Sequence, residues 1–261
     1  MIALWQNVRS TRIVVLFSLA IFLSSCFSGI PKGKNNSFTH EEWTSLLQKH
    51  VNKAGFVDYK GFIKDSVKLN TYLAKLSDNA PANSWSRDEK FAYWINAYNA
   101  YTVKLITSNY PVKTIKELGA ANPIIFVNTA WDKKFFSIGN KKMTLNTIEF
   151  KIIRKQFKDP RSHFAINCAS ISCPKLLNVA YEAKTLNAQL EQQGKAFLAD
   201  TEKNKVSATN PKLSSIFKWY SGDFEKGQTK IEFINKYASP NLNANAKLDY
   251  LDYNWNLNEQ K

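Results

Sequence analysis

Between Lys90 and Lys104 the chain runs for thirteen residues without a charge, FAYWINAYNAYTV. No other stretch constrains the fold as strongly. Ser86-x-x-Glu89 just upstream is a capping box, so the pattern predicts a helix from there to about Ser108. Phe91, Trp94, Ile95, Tyr98, Thr102 and Leu105 form one stripe of it, and the opposite side is also largely apolar or small. A helix apolar nearly all round is a buried one, and the rest of the chain must wrap it. Asn96 and Asn99 are three apart and share a face. Buried amides require hydrogen-bond partners. Bracing of adjacent loops is their favoured role; orienting a catalytic group or a ligand is the other.

The remaining pattern mixes helices and strands. Thr39–Val51 opens with Thr39-x-x-Glu42 and places Trp43, Leu46, Leu47 and Val51 at helical spacing. Gly55–Phe62 reads as a short extended piece and Ser66–Leu76 as a second helix. Lys134–Ile138 and Lys142–Leu145 flank Gly139-Asn140, a hairpin signature. A helix follows from about Thr144 to Phe157, with Glu149 on or beside its apolar stripe, where a carboxylate needs a partner. His163–Asn167 reads as a buried strand entering the turn Cys168–Pro174. Thr185–Ala199 is an amphipathic helix. Val206–Thr209 and Ser215–Tyr220 read as extended or irregular, Ile231–Tyr237 as helical and Lys247–Tyr253 as extended. No repeat or charge block divides residues 39–261, which predicts one α+β domain.

The first 25 residues read as an address. Arg9 and Arg12 precede an eleven-residue apolar run, Ile13–Leu23, of signal-peptide length. It ends in Leu23-Ser24-Ser25-Cys26, similar to the lipobox of bacterial lipoproteins. The expectation is a signal peptide over 1–25, a lipidated Cys26, and a polar tether over 26–38. That implies an outer-membrane lipoprotein facing the periplasm and held to the membrane through Cys26. Composition agrees with a globular body: 44% hydrophobic and 22% charged residues argue against disorder and against a multi-span membrane protein. The formal charge is +15, from 36 basic and 21 acidic residues. Scattered lysines outside the cytoplasm point to solvated surface, not to nucleic acid. There is no GxGxxG and no GxxxxGK[ST], so nucleotide chemistry of the commonest kinds has no support. Three cysteines and three histidines without paired CxxC motifs argue against a zinc site. No cofactor is expected, and the sequence gives no oligomeric state.

Chemistry gathers in HFAINCASISCP, residues 163–174. His163 is the one histidine outside the first helix. Cys168 and Cys173 are the thiols left once Cys26 is lipidated. A thiol becomes nucleophilic when a histidine or cation lowers its pKa, and the imidazole needs a third group to fix its tautomer. Glu149, Asn96, Asn99 and Asn167 are the candidates for that third place. The other reading is equally open: cysteines five apart in an oxidising compartment form a disulfide that leaves no nucleophile.

Six segments resemble the domain-of-unknown-function family 547: GFVDY (55–59), YWINAYNAYT (93–102), FSIGNKKMTLNTIE (136–149), DPRSHFAINCASISCPKL (159–176), IFKWYSGDF (216–224) and YNWNLN (253–258). The resemblance spans roughly residues 40–258. It implies an α+β fold distantly similar to papain-like and transglutaminase-like enzymes, with a central helix packed on an antiparallel sheet. It carries His163, Cys168, Cys173, Asn96, Asn99 and Glu149 over by motif. After Ile148-Glu149 the family usually has His; this chain has Phe150.

Two functions from different classes follow, with reversible thiol–disulfide exchange between the two cysteines as a third, weaker option that lacks the CxxC spacing usual for such work. The first is a cysteine-dependent hydrolase or acyltransferase on peptide-like bonds. It assigns Cys173 as nucleophile in an exposed turn, Cys168 toward the core, His163 as base and Glu149 as the orienting group, with Asn167 or turn amides as an oxyanion hole. The second is a non-catalytic binding module for a peptide-like or small envelope ligand, stapled by Cys168–Cys173. Trp131, Trp219, Tyr220 and Trp255 read first as core aromatics and second as a ligand groove.

Overall fold

A computed structural model of the chain describes residues 38–120 and 128–261. The expected signal peptide, Cys26 and most of the tether lie outside the described residues. The described residues fall within one unit, Phe38–Lys261.

The uncharged stretch lies in helix α4, Arg87–Thr107, which is preceded by α1 (Glu41–His50), α2 (Tyr59–Lys64) and α3 (Ser66–Asp78). Ser86 caps α4, with both hydrogen bonds of its capping box to Glu89 made. From Phe91 to Ile106 every residue of α4 is buried except Lys104. Phe91 stacks on Phe157 at 4.5 Å between ring centroids, and Tyr101 stacks on Phe136 at 3.8 Å. The phenols of Tyr93 and Tyr101 donate to the carbonyls of Leu76 and Leu73, so α3 is tied to α4 by polar as well as apolar contact. Each such buried aromatic contributes on the order of 1.5–3 kcal/mol through burial alone.

The strands are short. β1 (Phe136–Ile138) and β2 (Lys141–Met143) pair antiparallel, with Phe136 opposite Met143. Gly139 and Asn140 both have positive φ, as the tight hairpin requires. β3 (Lys212–Ser214) and β4 (Asp249–Leu251) pair parallel. The fold is therefore α+β, with the sheet beside α4 reduced to one hairpin; α2 and α3 also pack on α4. After β2 the chain winds as a π-helix, Thr147–Phe157, then a 3₁₀ turn, Pro160–Phe164, before α5 (Leu186–Ala199). Short helices α6 (Ile216–Trp219), α7 (Ser221–Phe224) and α8 (Lys230–Ile234) build a second apolar cluster around Phe164, Phe197, Phe217 and Phe233.

Several local expectations need correction. Thr39 does not cap α1; its oxygens accept from Lys75, which also binds Glu42. Gly55–Phe62 is not extended throughout, because the Asp58 side chain accepts from Gly61 N–H and starts α2 at Tyr59. Ser215–Tyr220 contains helix α6. The segment from His163 is not a strand: Asp159 caps a turn with Pro160 in its first position, a helix-start pattern. Among the described residues no helix is long and apolar enough to cross a membrane.

Candidate functional site

The loop that carries both cysteines is held from α4. Asn99 Nδ2 donates to Ala165 O at 3.0 Å, and its Oδ1 accepts from Asn167 N–H at 2.8 Å. Asn96 clamps the backbone of Tyr181 in the same two-handed way. Both amides thus brace loops. Asn167 passes the constraint on: its Nδ2 donates to Pro174 O, and its Oδ1 accepts from Ala169 N–H and Asn258 Nδ2. Asn167 is engaged inside the loop and is not among the residues that line the adjacent cleft. Ala169 lies between the cysteines at φ +61°, a left-handed conformation that costs a non-glycine residue on the order of 1 kcal/mol or more.

The C-terminal segment runs alongside. Ile171 and Ser172 N–H donate to Asn256 and Asn254 O, and Asn258 N–H donates to Ala169 O. Residues alternate along this extended piece. Tyr253 and Trp255 therefore share a side and reach a cleft of about 730 Å³.

That cleft gathers most of the side chains singled out by sequence. Glu149, His163, Cys168 and Cys173 line it, together with Tyr98, Lys116, Arg154, Trp131, Trp219, Tyr220, Tyr253 and Trp255. Trp219 and Trp255 face the cleft and not a core, contrary to the first reading, whereas Trp131 and Tyr220 line it while packing against the core clusters. Trp219 stacks against Trp255 at 5.7 Å, Trp131 meets Trp255 edge-on at 5.9 Å, and Tyr253 sits 4.8 Å from Trp219. Trp219 is 48% exposed, an unusual state for so large an apolar surface. Phe150 is 43% exposed at the same cleft with the Arg154 guanidinium 4.7 Å from its ring centre.

The assigned roles change. Cys168 and Cys173 are joined in a disulfide. Their exposures are the reverse of expectation: Cys173 is 3% exposed and Cys168 half-buried. Glu149 does not orient His163. Its carboxylate, 4% exposed, accepts from Tyr220 Oη at 2.7 Å and Tyr98 Oη at 3.2 Å. Burial first and the Glu149 charge second push both phenols far above their ordinary pKa, so they remain donors. The orienting carboxylate is Asp223, whose Oδ2 lies 2.9 Å from His163 Nε2. Arg154 and Lys226 bind the same carboxylate. Burial alone would raise the Asp223 pKa. The hydrogen bonds from His163, Arg154 and Lys226 outweigh it and hold the group well below the carboxylate range. His163 packs on Tyr220 at 4.1 Å and on Phe224 at 5.3 Å between ring centres.

Asp223 was within reach of the sequence only as part of IFKWYSGDF; nothing local separates it from a surface acid. Among the described residues no group of three or more His, Cys, Asp or Glu side chains is placed to hold a metal ion.

The family described as Protein of unknown function, DUF547, matches residues 82–198, a span from the loop before α4 to the end of α5. That match supports the resemblance for the three segments it contains, 93–102, 136–149 and 159–176. Searches of curated proteins and of solved structures found no match.

Proposed function

We propose that the chain is a binding module of the cell envelope, tethered through Cys26, that holds a peptide-like or other small organic ligand in the aromatic cleft. The observation that carries this reading is the disulfide. With both sulfurs joined, the cleft has no nucleophilic thiol, yet it keeps a continuous wall of Trp131, Trp219, Tyr253 and Trp255. Pockets that bind small organic ligands are mostly apolar, with a few placed polar groups. Here the polar groups include the Glu149 carboxylate with its two phenols, the Asn146 amide, Lys116, Arg154 and His163. The test is a tryptophan-fluorescence titration of the full chain with a panel of short peptides and amide-bearing saccharides. A saturable response in the wild type, weakened about tenfold or more in Trp219→Ala, is the expected result for a central aromatic contact. No saturable response from any member, or equal affinity in the variant, contradicts the reading.

A second reading is favoured by one contact. His163 has a carboxylate on Nε2 and shares the cleft with Cys173, so reduction of the disulfide would leave the parts of a Cys-His-Asp hydrolase or acyltransferase. Asp223 then takes the place first given to Glu149. Reduced protein that turns over an activated amide or ester should lose that turnover in Cys173→Ala; turnover retained by the variant sinks this reading.

A further inference from the structure

Three hydrogen-bond donors converge on one sulfur. Cys173 Sγ lies 3.0 Å from the backbone N–H nitrogen of Cys168, 3.3 Å from Ser170 Oγ and 3.2 Å from Tyr253 Oη. A disulfide sulfur is a poor acceptor and has little use for three donors. A thiolate has every use for them, because hydrogen bonds to the charged form are the strong ones and lower the thiol's pKa. The Cys168 sulfur has weaker surroundings, with Ser170 Oγ at 3.3 Å and Tyr253 Oη at 3.5 Å and, among the described residues, no backbone donor. It is also the more exposed of the two, on the wall of the cleft.

We propose that the pair performs thiol–disulfide exchange with a thiol or dithiol admitted to the cleft, with Cys168 the sulfur attacked and Cys173 the sulfur that leaves. The incoming thiolate forms a bond to Cys168 Sγ. The Cys168–Cys173 bond breaks, and its electron pair goes to Cys173 Sγ, received by the three donors. With a dithiol, the second thiolate attacks its own sulfur in the mixed disulfide and releases Cys168. The dithiol is oxidised by two electrons and the protein reduced by two. Exchange is fastest when the attacked sulfur is accessible and the leaving thiol has a low pKa, and the two conditions fall here on different cysteines. Of the charged groups lining the cleft, Lys116 and Arg154 favour a thiolate, Arg154 the less because Asp223 pairs with it. Glu149 opposes one, but its carboxylate is engaged by Tyr98 and Tyr220. The activity stands on the sulfur geometry and not on the identity of any ligand held by the aromatic wall.

The test uses the full chain carrying Cys26→Ser. The oxidised protein is treated with glutathione, quenched in acid and digested, and the glutathione adduct is located by mass. The adduct is expected on Cys168; an adduct confined to Cys173, or none under conditions that reduce an exposed disulfide, overturns the proposal. In a second arm the protein is reduced, and alkylation of each cysteine by iodoacetamide is followed across pH. Cys173 should reach half its limiting rate below the ordinary thiol value of about 8.5. Tyr253→Phe should move that midpoint upward by about one pH unit, a tenfold loss of thiolate at fixed lower pH, since one bond to a charged group is removed. A Cys173 midpoint at or above 8.5, or one that Tyr253→Phe leaves unmoved, counts against the thiolate cradle. Ser170→Ala is the second variant if Tyr253→Phe fails to fold, with the same shift expected and the same null shift contradicting it.

Discussion

Asp223 holds three basic side chains at once, and its loss should be felt in stability before function. Its pKa is depressed in the folded protein, so its stabilisation is present above the unfolded carboxylate value of about 3.9 and is lost as pH falls below it. Asp223→Asn should cost about 2–4 kcal/mol at pH 7, because Arg154 and Lys226 lose their counter-charge and His163 its carboxylate hydrogen-bond partner. The gap between variant and wild type should narrow below about pH 4, as urea unfolding at several pH values will show. His40 acts with the same sign from the other direction. Burial, with Lys75 adding to it, lowers its pKa from 6.5 to about 3. The unfolded chain therefore binds a proton that the folded one refuses, and stability falls between about pH 6.5 and pH 3. His40→Gln should flatten that slope by up to about 1.4 kcal/mol per pH unit. At this scale the sequence was informative in part. Glu149 was suspect because it interrupts an apolar stripe, and it is indeed buried. Its partners, Tyr98 and Tyr220, lie 51 and 71 residues away, and no local pattern joins them. Asp223 looks like any acid in a polar turn until His163 is placed beside it.

Among elements, α4 is the beam to which the site is fixed. Asn99→Ala should cost about 2–5 kcal/mol, since it strands the buried Ala165 carbonyl and Asn167 N–H. Ser86→Ala removes only a cap and should cost about 1 kcal/mol. Chemical denaturation of the two variants side by side checks the ratio. If Asn99→Ala is as mild as Ser86→Ala, the bracing role is wrong. The helix itself was legible because its cap and its lack of charge are local facts. So was the hairpin, whose Gly139-Asn140 turn accepts positive φ. The run at His163–Asn167 was not: apolar residues in a short segment fit a buried strand and a packed turn equally, and the Asp159-Pro160 start decides for the turn. The π-helix at Thr147–Phe157 had no sequence signature at all.

For the whole molecule, the consequential outcome is where distant segments meet. The loop 163–174, helices α6 and α7, the π-helix and the segment 253–258 bring an aromatic wall, a buried carboxylate and two sulfurs to one cleft. Composition announced many aromatics but not that Trp219 and Trp255 stack at an opening and not in a core. Side-chain alternation explains Tyr253 and Trp255 once their strand-like pairing with residues 169–172 is known; the pairing is a tertiary fact. The binding role and the exchange chemistry both rest on the joining of Cys168 and Cys173 in that wall. The most direct measurement is a thiol count. The Cys26→Ser chain, purified without reductant, is denatured, treated with iodoacetamide and weighed intact, before and after reduction. The account predicts no alkylation before reduction and two alkyl groups after it. Two groups added without reduction would contradict it and hand the cleft to a free-thiol chemistry.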